Sequence, residues 1–186
     1  MKGKAVSLMV GASIALAATP AAAASGDIAA AIETAFRACH EWVTNPDSWA
    51  DDIAGFPKTM GLEKVMEHRE TVPPFAQPPA NLQDGAIYWQ IAAGKDELYL
   101  SVSVEQPTCR LAGGGPDDWQ PGVETVLASR AFRAAWEEGV DHASTGMRLT
   151  QYSSKKEEGF TLFVTRADKP GLPPRQAQFL ATARLR

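Results

Sequence analysis

Cys39 and Cys109 are the only two cysteines in this chain, about 70 residues apart. Whether they can join depends on where the chain resides, because disulfides persist in oxidising compartments and are rare in the cytosol. The first residues speak to that. Lys2 and Lys4 form a short positive region, Ala5 to Ala18 is an apolar run, and Thr19-Pro20 leads into the small residues Ala21 to Ser25. This is the three-part layout of a cleavable secretory signal, with Ala22-Ala23-Ala24 fitting the cleavage rule and Ala24 as the expected last residue removed. The competing reading is a membrane anchor. The apolar run is short for a bilayer, and no positive charge follows it closely. Lipid attachment has no cysteine to use at that point. Residues 1–24 are therefore read as a signal peptide, and the mature protein as periplasmic or secreted.

Removing 24 of 186 residues leaves 162, from Ser25 to Arg186, a length suited to one domain. The two leader lysines go with it, so 16 basic residues face 22 acidic ones and the formal charge is about −6. An acidic chain without a basic cluster excludes nucleic acid as a natural partner, since phosphates demand a positive footprint. No mature segment is apolar for long enough to span a membrane. In an oxidising space the two cysteines point to one disulfide, whose loop closure is worth roughly 4 kcal/mol in the chain-entropy model. Two buried free thiols and a reactive thiol remain the alternatives at this level, although neither cysteine lies in a CxxC pair.

The mature chain reads as α+β. A helix is expected over Ile28–Trp42, with Ile28, Ile32, Ala35, Phe36, Cys39 and Trp42 or Val43 on one face. Asn45-Pro46-Asp47 stops it. Short helices are expected at Ser48–Ala54 and Leu62–Arg69. Residues near 71–83 are proline-rich and extended, either a linker or an arm that covers the domain and buries Phe75. Ala86–Ala92 and Glu97–Glu105 read as a hairpin, because Leu98, Leu100, Val102 and Val104 alternate with wetter residues. A short strand over Pro107–Leu111 follows. A second helix is expected from Pro121 to Glu138, with Val123, Val126, Leu127, Ala131, Ala134 and Ala135 as its apolar stripe and Trp136 near the edge, broken by Gly139, and then strands over Met147–Ser153, Gly159–Arg166 and Ala177–Leu185. The order α-β-β-(β)-α-β-β-β implies antiparallel sheet packed against two main helices. Ala35-Phe-Arg-Ala38 recurs as Ala131-Phe-Arg-Ala134, and Gly85 with its hairpin overlays Gly146 with its own, a pattern compatible with a remote internal duplication.

The chemical inventory is thin and points away from an enzyme. His40, His68 and His142 form no HxH or HExxH pattern, so no metal is assigned. There is no GxSxG, and Ser153-Ser-Lys-Lys156 falls in an expected hairpin turn. The loop Gly113–Asp118 has successive glycines that could offer N–H groups to an anion, but it lacks a P-loop lysine, and Asp117 and Asp118 would repel a phosphate. No calcium-loop pattern surrounds those aspartates. The acidic pairs Asp51-Asp52, Asp117-Asp118, Glu137-Glu138 and Glu157-Glu158 read as solvated charge. No cofactor is implied. Five tryptophans are rich for this length. They read first as core, and, where functional, as a binding patch of Tyr88, Trp89, Tyr99, Trp119 and Tyr152.

The sequences Ala35-Phe-Arg-Ala-Cys39 and Ser101-Val-Ser-Val-Glu-Gln-Pro-Thr-Cys109-Arg-Leu111 resemble a loose group of uncharacterised exported proteins of proteobacteria, over about residues 28–140. The resemblance implies a disulfide between the first helix and the end of an early strand, and no activity. The leading functional expectation is a non-catalytic binding or interaction module, such as an inhibitor of an envelope enzyme, whose partner is a protein or a small envelope ligand. The alternatives are an envelope hydrolase with a site assembled from distant histidines and carboxylates, with His142 or His68 beside two carboxylates, and an oligomeric assembly factor, a homodimer through an open sheet edge. Intact-mass analysis of the exported product checks the foundation: a chain beginning at Ser25 that takes up no alkylating reagent after unfolding is expected.

Overall fold

The computed structural model describes residues 20–169 and 177–185, so residues 1–19, most of the expected signal peptide, and most of the proline-rich loop near residue 170 lie outside it. The first element, α1 (Pro20–Thr44), carries the expected apolar stripe: Ile28, Ile32, Ala35, Cys39, Trp42 and Val43 are all buried, and Phe36 is half-buried. It ends where Thr44 Oγ1 donates back to the His40 carbonyl at 2.8 Å and Pro46 cannot continue the ladder. A single turn at Pro46–Ser48 and a short helix, α2 (Phe56–Thr59), follow. The helix expected over Ser48–Ala54 is replaced by turns, and the helical turn comes after it, where Pro57 sits at the start of α2 and its missing N–H costs nothing.

The sheet has eight strands, all antiparallel. They are β1 (Met66–Arg69), β2 (Ala86–Ala93), β3 (Asp96–Ser103), β4 (Thr108–Gly114), β5 (Trp136–Ser144), β6 (Met147–Ser154), β7 (Thr161–Ala167) and β8 (Phe179–Arg184). Their spatial order is β1-β2-β3-β4-β8-β7-β6-β5. Each half of the chain is thus helix followed by a four-stranded meander, and the halves join through β4 and β8, from Thr108↔Arg184 to Gly113↔Phe179. Gly85 and Gly146, the two glycines matched in sequence, both stand at positive φ just before β2 and β6. The β2–β3 turn is the two-residue loop Gly94-Lys95, with Gly94 at positive φ, which matches strand twist.

Two strands replace helix expected from sequence. Met66–Arg69 is β1, not part of a helix over Leu62–Arg69: its backbone groups pair with β2 from Met66↔Ile91 to Arg69↔Tyr88. The second helix stops early and is broken. α3 (Gln120–Ala128) ends at Ser129, whose extended backbone interrupts the ladder while its Oγ accepts from Phe132 N at 3.1 Å, capping α4 (Arg130–Ala135). The break re-phases the apolar stripe. Val123, Val126 and Leu127 are buried as expected, but Ala131 and Ala134 are exposed and Phe132 is the buried residue of α4. The chain then enters β5 at Trp136, and Gly139 lies in a β-bulge rather than ending a helix.

The helices cover one face of the sheet. α1 packs across β2, β3, β4 and β8, and α3 lies against α1 and β7. The crossing of α1 and α3 is close: a Cβ on Gly122 would stand 2.6 Å from Ile28 Cγ2. Trp42 anchors one end of this core, stacked on Trp49 at 3.8 Å and set edge-on to Phe56 and Trp89. Its Nε1 donates to the Ser103 carbonyl. The proline-rich segment covers the opposite face. There Val72, Ala76, Tyr99 and Ala112 form a second small core, with Phe75, Tyr88 and Leu180 against it. Among the described residues no helix is long and apolar enough to cross a membrane.

Cys39 and Cys109 form a disulfide with Cα atoms 5.5 Å apart, joining α1 to β4. Replacing both cysteines with alanine is expected to lower unfolding free energy by about 2–5 kcal/mol, read from urea denaturation. A smaller loss than about 1 kcal/mol would show that packing alone holds α1.

Candidate functional site

The five aromatics expected to form one patch do not assemble. Trp89 and its neighbour Tyr88 point to opposite faces of β2, as the strand period requires. Tyr88 and Tyr99 pack under the proline-rich segment, whereas Trp89, Trp119 and Tyr152 belong to the helix-side core. Trp89 and Trp119 are fully buried. Trp119 lies over Gly113, where a Cβ would stand 2.2 Å from its ring, which accounts for one glycine of the Gly113–Asp118 loop. The rest of that loop is tied down. Asp117 N donates to Asp96 Oδ1 at 3.2 Å, and Gln178 accepts from Trp119 N while donating to the carbonyls of Gly115 and Asp117. The Asp96 carboxylate, raised above its ordinary value chiefly by burial, thus takes an N–H that a bound anion would need.

The histidines are dispersed too. His68 lies on β1 and His142 on β5, at opposite edges of the sheet. His40 meets a carboxylate: its Nε2 is 3.2 Å from Glu157 Oε1, and its ring is edge-on to Phe160. Glu157 is held below the ordinary glutamate value chiefly by the Ser154 hydroxyl that donates to it; burial opposes this, and His40 and Lys156 add to the lowering.

What the fold does create are concavities on the two flanks of α4, and neither was legible in the sequence. One lies between α1 and α4 and has a volume of about 460 Å³. Its small residues are Ala30, Ala131 and Ala135, and its aromatic walls are Phe36, Phe132 and Trp136. Alanines at helix-facing positions leave no side chain to fill the space, so Phe36 and Trp136 remain half-exposed. Phe36 stands 5.9 Å from Phe132 and 6.1 Å from Phe179, ring to ring, so the wall is continuous with the core. Glu33 and Arg37 stand at the groove's margin. Phe36, Arg37 and Trp136 also line a neighbouring hollow with Met60, His40 and Glu41, which extends the groove along α1.

The other flank is polar. A cavity of about 150 Å³ is lined by Glu124, Phe132, Arg133, Trp136, Glu138, Tyr152 and Arg166, among others. Arg166 is buried at its base, where Nε donates to Glu124 Oε1 at 2.6 Å and Nη1 to Thr150 Oγ1 at 2.8 Å. Thr150 donates in turn to Asp141 Oδ1, and Arg148 links Asp141 to Asp168. The Thr150 hydroxyl gives its proton to Asp141 and a lone pair to Arg166, and so positions the guanidinium. Tyr152 is raised above its ordinary value, mainly by burial, with Glu138 and Glu124 adding to the rise and Arg166 opposing it. It stays a neutral phenol. The sequence signal for these sites was Trp136 at the edge of the helical stripe.

Arg166→Met is expected to cost about 2 kcal/mol, because two hydrogen bonds from a charged donor are lost, and Glu124→Gln about 1 kcal/mol, because the buried guanidinium loses its countercharge while the amide oxygen of this half-exposed side chain still accepts from Nε. Urea denaturation of both variants orders them. The lowered Glu157 contributes stability that is present above the ordinary glutamate range and lost as pH falls through its depressed value. Glu157→Gln should therefore flatten the acid limb of stability against pH and leave the limb above pH 7 unchanged. Comparison of the chain with protein-family models, with curated proteins and with solved structures returned no match.

Proposed function

We propose that this chain is a non-catalytic interaction module of the cell envelope, periplasmic or secreted, that holds an apolar helical segment of a partner protein in the groove between α1 and α4. The observation that carries the reading is the groove itself. It is larger than the polar cavity on the other flank of α4, and it is walled by Phe36, Phe132 and Trp136 over an alanine floor. Grooves between two helices receive amphipathic helices, whose residues at spacings of three and four fill such a trough. Large aromatics with limited rotamer freedom supply most of the binding energy in surfaces of this kind. Glu33 and Arg37, one turn apart on α1, offer both charges at the margin and so favour a segment with a mixed polar face rather than a lipid tail. Inhibition of an envelope enzyme is one way such an interaction would act.

A photo-reactive residue placed at Ala131 is expected to capture one envelope protein. The same residue at Thr125, exposed on α3, should capture nothing. Ala131→Lys, at an exposed position, should leave the fold intact and abolish retention of that protein. Equal capture from both positions, or retention that survives the lysine, would overturn the groove as the binding surface.

A further inference from the structure

The outer edge of the sheet at β5 has features that neither the groove nor the core requires. β5 is nine residues long, pairs only with β6, and is exposed along its length after Trp136. Val140 is 70% exposed. After Trp136, whose N–H donates to the Phe132 carbonyl, the backbone groups on the outer side of β5 have no backbone partner among the described residues. The opposite edge, β1, is only four residues long. A long open edge is a template for another strand, and folds blunt such edges by shortening, covering, charging or bulging them. This one is neither short nor covered; its turn into β6 holds Thr145 and Gly146 at positive φ, and it carries one bulge, between Glu138 and Asp141.

Charge selects the occupant. β5 carries Glu137, Glu138 and Asp141, and its only cationic-capable group is His142. A second copy laid antiparallel would bring these acids together, which is unfavourable for directly opposed strands, and the bulge between Glu138 and Asp141 interrupts a symmetric ladder. A basic strand removes the first objection and, needing no two-fold symmetry, does not have to be centred on the bulge. Glu138 pairs across to Tyr152 and Asp141 to Thr150, so both carboxylates stand on the helix side of the sheet, Glu138 at the polar cavity. Asp141 is held by Arg148, and Glu124 by Arg166. Glu138 has no ion pair among the described residues. The cavity beside it is lined by Trp136, Tyr152 and Phe132, and the Arg166 at its base is already paired with Glu124. Arg133 on α4 and Lys155 after β6 stand at the Trp136 end and set the limit of the acidic stretch.

We propose that β5 receives an extended, basic segment of a partner protein, which adds as a further antiparallel or parallel strand and lowers one lysine or arginine side chain into the cavity between Trp136, Tyr152 and Glu138. This surface is separate from the α1–α4 groove in its backbone chemistry and in its charge, so either can fail without the other.

The probe is a capped peptide of alternating lysine and valine, titrated against the folded protein while hydrogen exchange is followed. Slowed exchange of β5 amides is expected, with binding that weakens as salt is raised. Glu138→Lys should weaken it about tenfold, and N-methylation along one edge of the peptide should abolish it while leaving its charge unchanged. Binding that persists after N-methylation, equal binding of a glutamate–valine peptide, or β5 amides that exchange as before in the saturated complex would overturn strand addition. A homodimer in sedimentation that protects the same β5 amides would overturn the choice of occupant.

Discussion

The pairing of β4 with β8 is the contact on which the rest of this molecule depends. Each half of the chain yields a four-stranded meander with one helical layer, too little to bury a core on both sides. Six cross-strand pairs, from Thr108↔Arg184 to Gly113↔Phe179, turn two small sheets into one of eight strands. α1 then lies over the join, packing on β2, β3, β4 and β8, and Cys39 fastens it to Cys109 on β4. The covalent link and the longest helix thus meet at the seam, where loss of contact would separate the halves.

The same arrangement sets where surface is left over. α1 takes the N-terminal half of the helix-side face, and α3 reaches as far as β7. The short α4 turns away at Ser129, so it covers only the Tyr152 end of β6, through Phe132, and leaves β5 exposed after Trp136. Two consequences follow from that one break. Between α1 and α4 the small side chains of Ala131 and Ala135 leave a groove with aromatic walls. On the other flank the sheet side chains that would have met a helix are polar, and they satisfy one another through Arg166, Thr150, Asp141 and Arg148. A buried guanidinium needs such partners, since an unpaired charge there would be far costlier than the ordering of the network.

The groove and the β5 edge differ in the kind of chemistry they present. The first is concave, apolar and lined by side chains. The second is an unpaired backbone with carboxylates beside it. The two share α4 and Trp136, so a partner on one surface stands close to the other, and a single protein with a helical segment and a basic strand would be able to use both.

Much of the architecture could be read from residue patterns. The stripe of α1, the alternation in β3, the hairpin at Gly94 and the strands β6 to β8 each bury one side, and burial leaves a period in the sequence. The cysteines, read with the leader and with the resemblance, named the link between α1 and the end of an early strand. β1 and β5 left no such trace: β1 buries only Met66, and β5 buries nothing. They are strands because a neighbouring ladder offers hydrogen bonds, a fact that lives in β2 and β6 rather than in their own residues. The aromatic patch failed for the same reason in reverse. Tyr88, Trp89, Tyr99, Trp119 and Tyr152 were correctly seen as large and unusual, but which face each would occupy, and what would cover it, was decided by the packing of α1 and the proline-rich segment. Sequence by itself determined which segments bury a face and which two residues are linked. Tertiary structure alone decided which surfaces stay open, because an opening is set by what packs beside it, and local patterns carry no record of that.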